Sequence, residues 1–272
     1  MARVQLNNGP LDKLKSRNPV IQFDRLQLFF RQPYEIDLPN CDGKIILHQP
    51  SLGDIIQLGE KRFYSTLSIF TSNTTSFRLQ LWEQGIDWTE FPDFYLFAML
   101  LGGADPEVYH TFLPDISFEK FQKFEKQIPD SDDKKVILYD PENHIEINEE
   151  VYFHISQYLR IVFNINPEEK ITHDTIMKQW FITKDQRELN NKKNKTIEED
   201  SGLISLVSGY LNHPGTKYKS SELKELGVYE FYDGIKRLQV YESTTALQKG
   251  MYSGFCDSSK IKPEDYNFMK PI

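Results

Sequence analysis

Residues 204–255 read ISLVSGYLNHPGTKYKSSELKELGVYEFYDGIKRLQVYESTTALQKGMYSGF, and this stretch decides the fold class. Val228, Phe231, Tyr232, Ile235 and Leu238 recur at i, i+3, i+4, i+7 and i+10, which is one face of a helix. Leu203, Leu206, Val207, Tyr210 and Leu211 form a second such face. Asn212-His213-Pro214-Gly215 closes the first helix, because Pro214 cannot continue it and Gly215 accepts turn geometry. The second helix carries Lys236 and Arg237 beside its aromatic face. Gly250-Met251-Tyr252-Ser253-Gly254-Phe255 follows it with apolar and flexible residues alternating. No catalytic motif lies in the stretch.

Moving outward, the chain from Asn148 onward reads as helical. Val151, Ile155, Tyr158, Leu159 and Val162 share a face, and Thr172–Leu189 makes a further helix around Ile176, Trp180 and Phe181. Asn190–Lys195 is a polar, basic break. Upstream, Val136–Tyr139 and His144–Ile147 flank a polar turn and predict a hairpin, as do Tyr34–Leu38 and Lys44–His48 around Asp42-Gly43. The two hairpins are expected to join in one small sheet. Ser51, with Asp54 three residues on, reads as a capping box, and Gly59 ends the helix it opens. Phe63, Leu67 and Phe70 mark another helical face, and a polar break at 72–76 precedes the short apolar run 77–82. Phe94–Leu101 is apolar all round, too short to span a bilayer, and reads as a buried helix stopped by Gly102-Gly103. Ile116, Phe118, Phe121, Phe124 and Ile128 form one more apolar set.

The expected fold is mainly α with small β-hairpins (α+β), ending in a C-terminal helical bundle. The expected organisation is an extended arm at 1–20, an α+β subdomain at 21–147 and a helical subdomain at 148–272. With 272 residues the chain can bury a substantial core without staples.

Composition narrows the function classes. Net charge is −8, from 32 Lys and Arg against 40 Asp and Glu, which argues against non-specific nucleic-acid binding. Cys41 and Cys256 are the sole cysteines, far apart and without zinc or redox spacing. Residues 1–15 hold no apolar leader segment and no run of eighteen apolar residues exists, so a soluble, intracellular protein is expected.

Searches for chemistry return little. No phosphate-binding glycine loop, nucleophile elbow or HExxH is present. The six histidines, His48, His110, His144, His154, His173 and His213, lack metal-ligand spacing. Asp130, Asp132 and Asp133 fail the calcium-loop pattern, since Lys135 and Pro141 stand where it needs Gly and Glu. Lys192-Lys193-Asn194-Lys195 has no interleaved aromatic and reads as a solvated loop. No catalytic, metal-binding or cofactor-binding residue is assigned, and no cofactor is expected. What remains is the aromatic face around Tyr229, Phe231, Tyr232 and Tyr241, core on one side and a partner surface on another.

Four phrases together carry a resemblance: PSLGDIIQLGEKRFYSTLSIFT (50–71), GIDWTEFPDFYLFAMLL (85–101), GVYEFYDGIKRLQVY (227–241) and GMYSGFCDSSKI (250–261). The arrangement resembles proteins of the tail gene module of tailed bacteriophages of Gram-positive hosts, some of them tail-assembly-chaperone-like, over most of the chain past residue 34. The resemblance implies a non-enzymatic protein acting through protein–protein contacts in tail assembly. It implies other phage tail proteins as partners, the tape-measure or tube protein among them, or further copies of this chain. No membrane or nucleic-acid partner is implied, and the location is the host cytoplasm during assembly or the virion. A structural component of the tail, connector or baseplate is the alternative. A metal-dependent nuclease or host-directed effector is the rival from another class. The interaction residues expected are Tyr229, Lys236, Arg237 and Tyr241. Charge reversal at Lys236 and Arg237 is expected to spare folding and weaken partner binding.

Overall fold

The computed structural model describes residues 21–39, 43–127, 134–193, 201–255, 259 and 261–272. The arm at 1–20, the Asp42 half of the first turn, Cys41 and Cys256, Ile128, Asp130, Asp132, Asp133, Asn194 and Lys195 lie outside the described residues, as do the side chains of Lys192 and Lys193.

The N-terminal half begins with a short helix, α1 (Arg25–Phe29), ahead of the first hairpin. Its cause is local: the Asp24 carboxylate accepts the N–H groups of Leu26 and Gln27, capping the first turn. The first hairpin follows as expected, with β1 (Tyr34–Asp37) antiparallel to β2 (Lys44–Leu47). Ile36, Ile45 and Leu47 point into the core, while Lys44 and Glu35 pair outside at 2.6 Å. Ser51 and Asp54 form the reciprocal capping box of α2 (Leu52–Leu58), and Gly59 closes it at φ 87°, where a Cβ would be strained. Helix α3 (Glu60–Thr71) buries Phe63, Leu67 and Phe70 completely.

Two short helices, α4 (Arg78–Glu83) and α5 (Asp93–Leu100), and α6 (Pro106–Tyr109) complete this half. α5 is the buried apolar helix expected, but it is not buried on every side. Phe94, Phe97 and Ala98 enter the main core, Leu96 enters a second cluster with Leu79, Leu81, Trp88 and Ile182, and Met99 stays 47% exposed. The helix is a wall shared by two cores with a third side open.

The second hairpin, β4 (Lys134–Asp140) with β5 (Ile145–Ile147), is extended by β3 (Gln122–Gln127). This corrects two expectations. The hairpins do not join: β1–β2 and β3–β4–β5 are separate sheets. Phe124, placed in an apolar set, lies on a strand whose side chains are all exposed, held by its ladder to β4 rather than by burial.

Helix α7 (Glu149–Val162) starts at Asn148, whose side chain accepts the Val151 N–H. It packs between the hairpin and α3. Its Tyr158 stacks on Tyr34 at 5.5 Å, and its His154 Nδ1 lies 2.7 Å from the Tyr34 hydroxyl. Burial holds the His154 imidazole below its ordinary value. Arg160 is buried and donates to the carbonyls of Thr71 and Ser72, closing the C-terminus of α3.

Helix α8 (Thr175–Lys193) runs past the expected break at Asn190, where no Pro or Gly is present to end it. It docks on the second cluster through Ile182 and two ion pairs, Arg78–Asp185 at 2.6 Å and Lys178–Asp87 at 2.5 Å. Burial disfavours the Asp87 carboxylate, but hydrogen bonds from Lys178 and Thr89 outweigh it and hold the carboxyl below its usual range. A carboxyl with a depressed folded-state value adds stability above its unfolded value of about 4 and loses it as pH falls through the lower folded value. Asp87→Asn should therefore lower Tm at pH 7, and the gap from wild type should narrow as the pH falls below about 4. A gap that stays constant through that fall would show that the ion pair is not its source.

The C-terminal part comprises α9 (Gly202–Asn212), α10 (Ser220–Leu223) and α11 (Val228–Tyr252). α11 continues through Gly250 to Tyr252, beyond the expected end. The main core takes residues from α1 through α11, including Leu28, Phe70, Tyr158, Leu203 and Phe231. Among the described residues no helix is long and apolar enough to cross a membrane.

Candidate interaction surface

The surface is built on α11, and its placement begins at Gly227. The carbonyls of Lys224 and Leu226 accept the N–H groups of Gly53 and Leu52, and the Pro50 carbonyl accepts the Val228 N–H. Gln49, 4% exposed, donates to the Leu28 carbonyl and accepts the Tyr229 N–H at 3.2 Å. Arg31 donates to the carbonyls of Glu225 and Gln49, both at 3.1 Å. A Cβ on Gly227 would overlap Gln49 Oε1 and sit 2.8 Å from Cγ and Cδ of Arg31, so the approach requires glycine.

α9 crosses α11 closely at Gly234, where a Cβ would come within 2.5 Å of the Tyr210 hydroxyl. Tyr210 and Phe231 meet edge to face at 5.5 Å. The start of α9 is fixed by Ser201, which caps Ile204, and by Glu60 of α3, which accepts the Leu203 N–H at 3.0 Å. At its other end His213 Nδ1 accepts the Gly215 N–H, leaving Nε2 to face Glu242 at 3.3 Å. Beyond the crossing the helices leave a groove of about 400 Å³ floored by Leu206, Gly209, Tyr210, Ile235 and Leu238.

On the other flank of α11 lies the segment 261–272. Arg237 donates to the carbonyls of Phe268 and Lys270 at 2.7 and 2.8 Å, and Tyr241 packs edge to face on Phe268 at 5.7 Å. Arg25 of α1 donates to the Ile272 oxygen at 2.5 Å. A second groove of about 480 Å³ runs between α11 and this segment, lined by Lys236, Val240, Leu247, Lys270 and Ile272.

The four residues named from sequence thus fall in three places. Tyr229 is half-buried at the Gln49 junction, where burial pushes its phenol up. Arg237 and Tyr241 fasten the segment 261–272. Lys236 lines the open groove, with no carboxylate in ion-pair range among the described residues. Charge reversal at Arg237 would remove an internal clamp, so Lys236 alone separates binding from folding. Arg237→Gln should cost about 1–2 kcal/mol, since two charge-assisted bonds at an exposed site are lost. It should also speed chymotryptic cleavage after Phe268, and unchanged cleavage would mean that the segment is held elsewhere.

Sequence pattern missed the exposed apolar residues here. Ile204 is 59% exposed, and Tyr252 and Phe255 at the end of α11 are 88% and 90% exposed. Leu206, on the apolar face of α9, is 38% exposed, because α9 turns Leu203 and Tyr210 into the core and meets α11 through Tyr210. Among the described residues no group of three or more His, Cys, Asp and Glu is placed to hold a metal ion.

Comparison with known proteins finds no match among curated proteins and none among solved structures. The family model described as the YomV second domain matches residues 190–272, the span holding the end of α8, α9 to α11 and the segment after them. YomV is a phage-associated protein from Bacillus, so the C-terminal part of the chain is similar to a domain of a phage-associated protein.

Proposed function

We propose that the protein is a non-enzymatic component of a phage tail module that binds partner proteins during tail assembly in the host cytoplasm, in the manner of a chaperone. The observation that supports this is the surface along α11. Two open grooves and the exposed Ile204, Tyr252 and Phe255 lie on the part that matches a phage-associated family. Exposed apolar side chains beside open grooves mark interaction sites rather than finished surface. An assembly chaperone needs adaptable apolar grooves and no reacting group.

Quantitative mass spectrometry of purified virions and infected-cell lysate tests this. Abundance in lysate with near absence from particles is expected. A fixed copy number per particle would replace the assembly role with that of a structural tail component.

A further inference from the structure

We infer that β3 is the contact strand of a symmetric dimer, in which it pairs antiparallel with β3 of a second copy of this chain about an axis at Phe124. The inference goes beyond the assembly role proposed above and does not depend on it.

β3 is an anomaly in the fold. All six of its residues are exposed, and among the described residues β4 is its sole partner strand, so its other edge is open. An open edge of this length is a template for another strand unless something guards it. Lysines commonly guard such edges. Here Lys126 is turned to Glu146 at 3.0 Å, and Lys123 shares its face of the strand with Glu125 rather than with a like charge.

The backbone groups that the edge presents follow from β4. Val136 donates its N–H to the Tyr95 hydroxyl at 3.4 Å, and therefore not to β3. Opposite residues of an antiparallel pair exchange both backbone bonds or neither. Glu125 lies opposite Val136, so its N–H and C=O point out of the open edge, as do those of Lys123 and Gln127 two residues to either side. Those of Gln122, Phe124 and Lys126 face β4.

The exposed pattern then selects the occupant and its register. Outward residues exchange ladder bonds only with outward residues of a second strand. For two antiparallel copies of Gln122-Lys123-Phe124-Glu125-Lys126-Gln127 this leaves registers centred on single residues. Centred on Lys123 or on Lys126, lysine meets lysine. Centred on Glu125, glutamate meets glutamate. Registers centred on Gln122 or Gln127 leave most of β3 unpaired. Centred on Phe124, Lys123 of each copy meets Glu125 of the other, and the two Phe124 rings, each 44% exposed in the single chain, face each other across the axis. Ladder bonds, cross-strand ion pairs and an aromatic pair thus coincide in one register. So short an edge buries less than the roughly 800 Å² a side of a stable interface, so the dimer is weak, with a Kd of about 10–100 μM.

Sedimentation velocity of the full chain from about 1 to 500 μM tests this, and a monomer–dimer equilibrium that weakens as salt rises is expected. Lys123→Glu and Glu125→Lys should each weaken dimerisation about tenfold by setting like charges opposite each other, and the double variant should restore it. With Cys41 and Cys256 replaced by Ser, Phe124→Cys should be oxidised by diamide to a covalent dimer, because residues facing each other at the axis lie within disulfide reach. Gln122→Cys, opposite Lys126 of the other copy, should not cross-link. If a charge variant loses stability in a parallel melt, the two cysteine variants decide. A chain that stays monomeric throughout, a dimer indifferent to Lys123→Glu, or equal cross-linking at both cysteines would overturn the pairing. None of these outcomes bears on the mass-spectrometric test of the assembly role.

Discussion

Phe70→Ala should lower stability by about 3–5 kcal/mol, the range for emptying a fully buried phenylalanine site. Phe70 has no exposed surface, and its ring meets those of Phe97, Phe112 and Phe118 at 5.3, 5.2 and 5.6 Å. These neighbours come from α5, the turn after α6 and the short 3-10 helix at Phe118–Lys120. Each is held by its own packing, so the hole cannot close by moving one side chain. For a chain of this size the loss corresponds to a fall in Tm of about 10 °C. Ile56→Ala on α2 is the control, since Ile56 is 53% exposed and should change stability by less than about 0.5 kcal/mol. Similar Tm shifts for the two variants would remove Phe70 from the centre of the core.

That core was legible in the sequence where the signal is local. Ser51, Asp54 and Gly59 announce both ends of α2, and the spacing of Phe63, Leu67 and Phe70 announces the buried face of α3. The hairpin strands announce themselves by alternation. β3 does not, because Gln122–Gln127 buries neither face and owes its form to a partner strand. Lys178 was equally silent. A lysine on a polar helix reads as solvated, and only folding brings it to Asp87 and the Trp88 ring. The interaction surface was half legible. Tyr229, Lys236, Arg237 and Tyr241 all lie on α11, yet which of them is free depends on where residues 261–272 run. No periodicity within α11 encodes that path.

Gly227→Ala should cost about 3 kcal/mol. Overpacking a tight site costs about 1–3 kcal/mol, and losing the bonds of a buried polar group costs a similar amount. Both apply here, because the new methyl would displace the Gln49 amide that accepts the Tyr229 N–H and the Arg31 stem whose guanidinium holds Glu225 and Gln49. Gly209→Ala is the contrast. Its Cβ meets nothing within 4 Å, so helix propensity alone should raise stability by up to about 1 kcal/mol. Opposite signs from two glycine-to-alanine changes, read by thermal or urea unfolding, would separate a packing requirement from the general cost of glycine in helices. The result bears on the surface as a whole. The family match begins at residue 190, yet the start of α11 is fixed by Arg31, Gln49 and Pro50, far outside it. The α9–α11 unit is thus oriented by the N-terminal half, and its grooves inherit their geometry from that junction. If Gly227→Ala left Tm unchanged, Gln49 and Arg31 would have yielded at no cost. The orientation of α11 would then rest on the backbone bonds of residues 50–53 alone.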